Sequence, residues 1–382
     1  VRAVARHFPV VCILGARQVG KTTLARRVFP RATYLDLERP ADVDRLVADA
    51  ELTLERLTPP IILDEAQAWP PLFPVLRAMV DRHRWRRCRF VLVGSAQPTL
   101  ARGVSETLAG RVGFVELDPV SCVEARRGSP RVGVDQLWLR GGYPRPLTLR
   151  HAGSRRDWME GYVRTFIERD LPALGVQVSA STLRRMLLTL AHVHGGLWNA
   201  SELAASLGVT YHTVNRYLDI LEQSFLVRRL TPYFRNIGKR LVRSPRVYLR
   251  DSGLLHHLLG IDSRASLETS PRRGASWEGF VIEQIIRREA IERPGGDCHF
   301  WRTATGVEVD LLIDRRQTLV PIEIKLTRRV APDDLRGLRA VLTDLALPRG
   351  YLVCLVERAY EARAGIQVLP AARVLGASRL PF

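Results

Sequence analysis

The stretch VVCILGARQVGKTTLARRVF, residues 10–29, decides the reading of the N-terminal part of the chain. It opens on an apolar, β-favouring run, as a strand buried on both faces requires. A glycine-bounded loop follows, from Gly15 through Gly20 to Lys21 and Thr22, and then a run of helical period. The loop has the spacing G-x-x-x-x-G-K-[ST]. Its glycines let backbone N–H groups turn inward around phosphate oxygens, and the helix N-terminus adds the positive end of its dipole. In such a loop Lys21 reaches the β- and γ-phosphates and the Thr22 hydroxyl ligates Mg²⁺. Gly15, Gly20, Lys21, Thr22 and Thr23 are the expected phosphate-binding residues, with ATP and Mg²⁺ as the expected ligands.

Working outward, PPIILDEAQ (59–67) is an apolar strand that ends in two acids. Asp64 is expected to hold Mg²⁺ through water, and Glu65 to orient and deprotonate the attacking water. RFVLVGSAQ (89–97) is another buried strand, whose polar end places Ser95 or Gln97 between those acids and the γ-phosphate. ATYLDLE (32–38) and RVGFVELDPV (111–120) complete five strands. Strands alternating with helices give a parallel sheet covered on both faces, an α/β fold.

These residues resemble the AAA-type ATPases, and in particular a large prokaryotic group with an ATPase core followed by a C-terminal domain. The resembling stretches are GARQVGKTTL, IILDEAQ, VGSAQ, SETLAGRVGFVELDPVS, LRGGYPRPL, YVRTFIERDL and YLRDSGLLHHLLG. The resemblance implies a Mg²⁺-dependent ATP hydrolase. Two readings of Arg111 stay open: a sensor or trans-acting finger for the γ-phosphate, which would need a homo-oligomer, or a salt bridge at the start of a strand. Members of the group carry more sequence upstream of the first strand than this chain does.

Length and composition set the frame. The chain has 382 residues, 46% hydrophobic and 25% charged, which suits a globular protein of two or three domains. No apolar run approaches the roughly 18 residues a membrane helix needs. Nothing at the start reads as a signal peptide. Five scattered cysteines fit neither a disulfide framework nor a zinc set, so the expected compartment is a reducing cytoplasm. The net charge of +19 points to a polyanion partner, DNA before RNA, unless the arginines are spread evenly over the surface. Lysines occur only at positions 21, 239 and 325.

A Gly/Pro/Arg-rich break at 125–136 marks the end of the ATPase core. Beyond it, SRRDWMEGYVRTFIERDLPAL has Trp158, Tyr162, Phe166 and Leu171 at near-helical spacing. Arg169 on that helix is either a finger toward a nucleotide or part of a solvated face. NASELAASLGVTYHTVNRYLDILEQSFLVRRL (199–230) has helix-turn-helix spacing. Asn199 caps the first helix, Gly208 ends it and Thr210 caps the second. Tyr211, His212, Asn215 and Arg216 are left as the candidate nucleic-acid contacts. The following segment alternates apolar and basic residues like a winged hairpin, with Arg228, Arg229, Arg235, Lys239, Arg240, Arg243 and Arg246 available to phosphates. A lid or protein-contact module is the other reading of this winged helix.

DSRASLETSPRRGAS (262–276) reads as a linker. In the helix WEGFVIEQIIRREAI, Glu278 points at the apolar face, whereas Glu283, with Arg287 at i+4, is expected to face water. VEVDLLIDRRQTLVPIEIKL then reads as a hairpin pairing Val309, Leu311 and Ile313 with Ile324, Ile322 and Val320. That register sets Asp310 across from Glu323, and Glu308 across from Lys325. The arrangement resembles the restriction-endonuclease-like fold. The resemblance implies Mg²⁺ held by Glu278, Asp310 and Glu323, with Lys325 steadying the nucleophilic water or the scissile phosphate. A domain of that fold that only binds or dimerises is the competing reading.

The expected organisation is an ATPase core over 1–125, a helical and winged helix-turn-helix region over 126–261, and a nuclease-like α/β domain over 262–382. Two functions follow from it. One is an ATP-driven switch associated with nucleic acid, with or without metal-dependent cleavage. The other is a signalling ATPase whose rear half binds protein partners.

Overall fold

The computed structural model describes residues 1–83, 87–94, 104, 106–128, 132–174, 176, 178–233 and 244–382. The chain forms two compact units: residues 1–119 with 219–225, and residues 120–218 with 226–382. Among the described residues no helix is long and apolar enough to cross a membrane.

The first unit holds five strands, β1 (Val10–Leu14), β2 (Thr33–Asp36), β3 (Ile61–Asp64), β4 (Phe90–Val93) and β5 (Val112–Glu116). They lie in the order β2-β3-β4-β1-β5, and every pairing is parallel. This is the expected sheet. The side chains of β3 and β4 are all buried, and so are those of β1 up to Ile13. Such strands read as unbroken apolar runs because helices cover both faces. The carboxyl ends of β1 and β3 bring the glycine loop and Asp64 to one edge of the sheet, and helix α1 (Lys21–Val28) starts directly after the loop.

The second unit is built on an eight-stranded mixed sheet. Its helices include α2 (Val134–Arg140), α3 (Ala200–Leu207) and the part of α4 (Tyr211–Gln223) up to Leu218. Helices α3 and α4 are the two helices expected in this stretch: Asn199 Oδ1 accepts from Glu202 N at 3.2 Å, and Gly208 sits at φ 67°. Strands β6 (Val227–Pro232) and β7 (Arg246–Leu249) pair antiparallel. Residues 234–243, with the expected contacts Lys239, Arg240 and Arg243, lie outside the described residues.

The segment read as a linker is ordered. It forms α5 (Arg264–Thr269), capped by Ser263, and the start of α6 (Arg273–Glu292). Six strands follow: β8 (Asp297–Arg302), β9 (Glu308–Asp314), β10 (Leu319–Ile324), β11 (Gly350–Cys354), β12 (Tyr360–Arg363) and β13 (Ile366–Pro370), with α7 (Ala371–Gly376) after them. The order is β12-β13-β11-β10-β9-β8-β6-β7. The sheet therefore joins the segments expected as separate domains, since Thr231 and Pro232 of β6 pair with His299 and Phe300 of β8. They also share a core, in which Leu230 and Tyr248 belong to one cluster with Val281, Ile285 and Ile322. The β9–β10 hairpin has the expected register, with Ile313 opposite Val320 and Leu311 opposite Ile322.

Candidate functional site

The glycine loop in the first unit uses conformations open to glycine. Gly20 has φ 97°. Gly15 has φ 155°, and a Cβ there would lie 2.2 Å from the Leu117 carbonyl oxygen. Lys21, 7% exposed, donates to the loop carbonyls of Gly15 (3.1 Å) and Ala16 (2.9 Å). Burial pulls its ammonium down to about 8, against the opposing pull of Glu65 and Asp64. A negatively charged ligand would reverse that shift.

Thr22 Oγ1 donates to Asp64 Oδ2 at 2.8 Å, so the two residues expected to share Mg²⁺ meet across 42 positions of chain. Tyr34 Oη donates to the same Asp64 oxygen, also at 2.8 Å. The sequence reading missed Tyr34. It follows β2's start by one residue, and Arg26 lies over its ring at 3.8 Å. Glu65 stands next to Asp64 at φ 50°, with its carboxylate hydrogen-bonded by Gln67 Nε2. Thr23 is exposed at the next position of α1. Ser95 and Gln97 lie outside the described residues. Of the two readings of Arg111, the salt bridge is the one formed: Nε meets Asp81 Oδ1 at 2.5 Å and Nη2 meets Oδ2 at 2.9 Å.

In the second unit the expected C-terminal residues converge, together with one that was assigned elsewhere. Arg246 was counted among the phosphate-facing wing residues. It is instead buried at 4% exposure at the first position of β7. Its guanidinium contacts Glu278 Oε1 (3.1 Å), Asp310 Oδ1 (3.2 Å) and Glu308 Oε2 (2.5 Å). Tyr248, two residues on and therefore on the same face of the strand, donates to Glu278 Oε1 at 2.7 Å. Asp310 Oδ2 accepts from Ile324 N at 2.9 Å. Lys325 pairs with Glu323 at 2.6 Å rather than with Glu308, which is taken by Arg246 and Arg302.

Burial, and after it the charge of Asp310, pushes the Glu278 carboxyl up to about 8 and the Glu323 carboxyl well above its usual range. Among the described residues Glu323 Oε2 has no hydrogen-bond partner. Among the described residues no three His, Cys, Asp or Glu side chains are grouped as metal ligands. Where Mg²⁺ was expected between Glu278, Asp310 and Glu323, Arg246 is the cation that touches Glu278 and Asp310.

Two further expectations change. Glu283 does not face water. It is 2% exposed and pairs with Arg228, Arg250 and Arg287, which hold its carboxylate below the usual range despite burial. Arg228 is therefore committed to Glu283 and not to a phosphate. At the N-terminal end of α4, Tyr211, His212 and Arg216 are exposed, but Asn215 Oδ1 accepts from Trp198 Nε1 at 2.9 Å.

Residues 7–125 match the model of an AAA domain. Residues 132–265 and 273–374 match two domains of unknown function, DUF8612 and DUF4143. The chain is similar to "Uncharacterized protein Rv2008c" of Mycobacterium tuberculosis, with 44% identity over 378 residues covering 98% of this chain and 83% of the relative. The same figures hold for "Uncharacterized protein Mb2031c" of Mycobacterium bovis. Among solved structures it is similar to the Walker-type ATPase PABY2304 of Pyrococcus abyssi, with TM-score 0.46 and 17% identity, covering 68% of this chain and 93% of that one.

Proposed function

This chain belongs to the family of those mycobacterial proteins and carries an AAA domain at its N-terminal end, and from that premise we propose that its first unit is a Mg²⁺-dependent ATP hydrolase worked by Lys21, Thr22, Asp64 and Glu65. The observation that supports this most directly is the 2.8 Å hydrogen bond between Thr22 and Asp64 beside the Lys21 loop. Thr22 and Asp64 are the residues that would hold Mg²⁺, which when bound offsets the phosphate charge. Lys21 leaves its loop carbonyls for the β- and γ-phosphates. Glu65 accepts the proton of a water that attacks the γ-phosphorus, and the bond to the ADP oxygen breaks. ATP turnover tests it: Lys21→Ala abolishes turnover and weakens nucleotide binding, and Glu65→Gln binds ATP without turning it over. Normal turnover by Glu65→Gln would remove Glu65 from the base role.

The second unit associates with nucleic acid through the exposed N-terminal end of α4, in a protein of net charge +19. The C-terminal part acts there as a binding module, and cleavage is not part of the proposal. Arg246 is what favours this reading, because it already neutralises the carboxylates that would bind a catalytic metal. DNA binding measured at two salt concentrations separates this function from that of a signalling ATPase with protein partners, which would show no steep loss of affinity with salt.

A further inference from the structure

Neither the nucleotide loop nor the carboxylate cluster uses a cavity of about 470 Å³ in the second unit. It lies at the carboxyl ends of three neighbouring parallel strands, β10, β11 and β13. Leu326, Leu355 and Ala372, which follow those strands in the chain, line it. Open α/β sheets bind ligands in such crevices, and the volume falls within the roughly 300–1,000 Å³ of small-molecule sites.

The facing wall comes from α2 and α6. Trp138 and Trp277 meet edge to face, with ring centroids 4.9 Å apart. Trp138 Nε1 is satisfied by Ser276 Oγ at 3.0 Å. Among the described residues, Trp277, only 2% exposed, has no partner for its Nε1, and one helical turn earlier Arg273 Nε has none either. Both nitrogens can only donate, and neither meets an acceptor among the described residues. Leaving buried donors unpaired is costly, so an acceptor brought into the cavity would gain by meeting either one.

Charge points the same way. The lining has four arginines (Arg140, Arg264, Arg273 and Arg328) against two acids. Those acids, Asp135 and Glu268, are both engaged by Arg264, at 3.4 and 2.8 Å.

We propose that this cavity binds a small organic anion, with a flat apolar body against the tryptophans and leucines and a carboxylate or phosphate turned toward Arg273. Slight rotation of the Arg273 head and the Trp277 ring lets both donate to it. The site is independent of the ATPase reading, and nothing in it depends on a nucleotide.

The test is calorimetric titration of the full chain with 1-naphthylacetate, its neutral isostere 1-naphthylacetamide, and acetate. A carboxylate probe avoids competition from the phosphate loop. Naphthylacetate is expected to bind saturably at one site, about tenfold or more tighter than the amide, with acetate weaker still. A tenfold loss is what removing one interaction of about 1.4 kcal/mol gives. Arg273→Met should weaken naphthylacetate by about tenfold and leave the amide unchanged, whereas Trp277→Phe, which also trims the apolar wall, should weaken both probes. Melting curves identify any variant that fails to fold, and Arg328→Met at an exposed position carries the charge test if Arg273→Met does. Equal affinity for the acid and the amide, no saturable binding, or binding untouched by Arg273→Met would overturn the proposal.

Discussion

Arg246→Met removes one charge and keeps most of the side-chain volume. In the parent, the guanidinium lies against Asp310, which is buried, and against Glu278 and Glu308, whose side chains are 21% and 32% exposed. Removing one partner of a buried ion pair costs about 3–5 kcal/mol, because the other charge stays buried and unpaired. The partial exposure of two of the three acids puts the expected loss in the lower half of that range, about 3–4 kcal/mol. For a unit of this size each kcal/mol moves the melting temperature by about 2–4 °C, so the variant should melt roughly 6–16 °C below the parent. Adding Asp310→Asn should recover a large part of the loss, since it removes the stranded charge. The vacated position should then accept another cation. Mn²⁺ at millimolar concentration should raise the melting temperature of Arg246→Met, and the double variant should lose that response. Scanning calorimetry with and without Mn²⁺ reads all of this, and Asp310 dependence separates the cluster from the Thr22–Asp64 site. The reasoning fails if the parent itself shows an Asp310-dependent Mn²⁺ response, because a metal would then coexist with Arg246. It fails equally if Arg246→Met melts with the parent.

Glu283→Gln leaves Arg228, Arg250 and Arg287 around a neutral side chain and should cost about 3–5 kcal/mol at neutral pH. Because those arginines hold its folded-state pKa below the unfolded value, the Glu283 contribution is present above about pH 4.5 and is lost as pH falls. Denaturant melts at pH 7 and pH 3 should therefore show the gap between parent and variant narrowing at the acid end without closing, because the contribution is lost in full only below the depressed folded pKa, and a gap of constant size would exclude a charged Glu283. Tyr34→Phe removes one of two hydrogen bonds to Asp64 Oδ2 and should reduce ATP turnover severalfold, for a bond worth about 1.5–3 kcal/mol to a charged acceptor. Unchanged turnover across a Mg²⁺ titration would make Tyr34 a packing residue. Arg216→Glu with Tyr211→Ala should weaken DNA binding across sequences and lower the slope of log affinity against log salt by about one or more. An unaltered slope, read by fluorescence anisotropy, would move the contact surface off α4.

What could be read from the chain was what local chemistry fixes. The phosphate loop is legible because its spacing is a backbone requirement, visible at Gly15 and Gly20 as φ values glycine adopts easily. The β9–β10 register is legible because the apolar residues of the two strands agree only in one alignment, which the structure forms at Ile313–Val320 and Leu311–Ile322, and a one-residue slip would turn Leu311 and Ile322 to the wrong face. Arg246 was not legible in the same way. Its partners Glu278 and Asp310 lie 32 and 64 positions away, and a run of basic residues looks the same in sequence whether it faces phosphate or carboxylate. The available signal was strand alternation: Arg246 and Tyr248 share a face, and a tyrosine next to an arginine on a short strand after Pro245 suits a covered edge as well as a wing. Glu283 failed for a related reason. Its Arg287 partner at i+4 is a surface pattern, but Trp277, Phe280, Val281, Ile282, Ile285 and Ile286 spread over more of the helix circumference than one stripe. A helix apolar over that much of its surface is buried nearly all round, and an acid on it must find its counter-charge inside. Both misreadings concern charges that fold inward, and between them they account for Arg228 and Arg246. Two arginines that a charge count assigns to nucleic acid are spent on the protein's own carboxylates. The net charge of +19 already counts every acid, so these pairs do not change it; they take Arg228 and Arg246 out of the set of arginines free to meet phosphate, and leave the exposed end of α4 as the described contact.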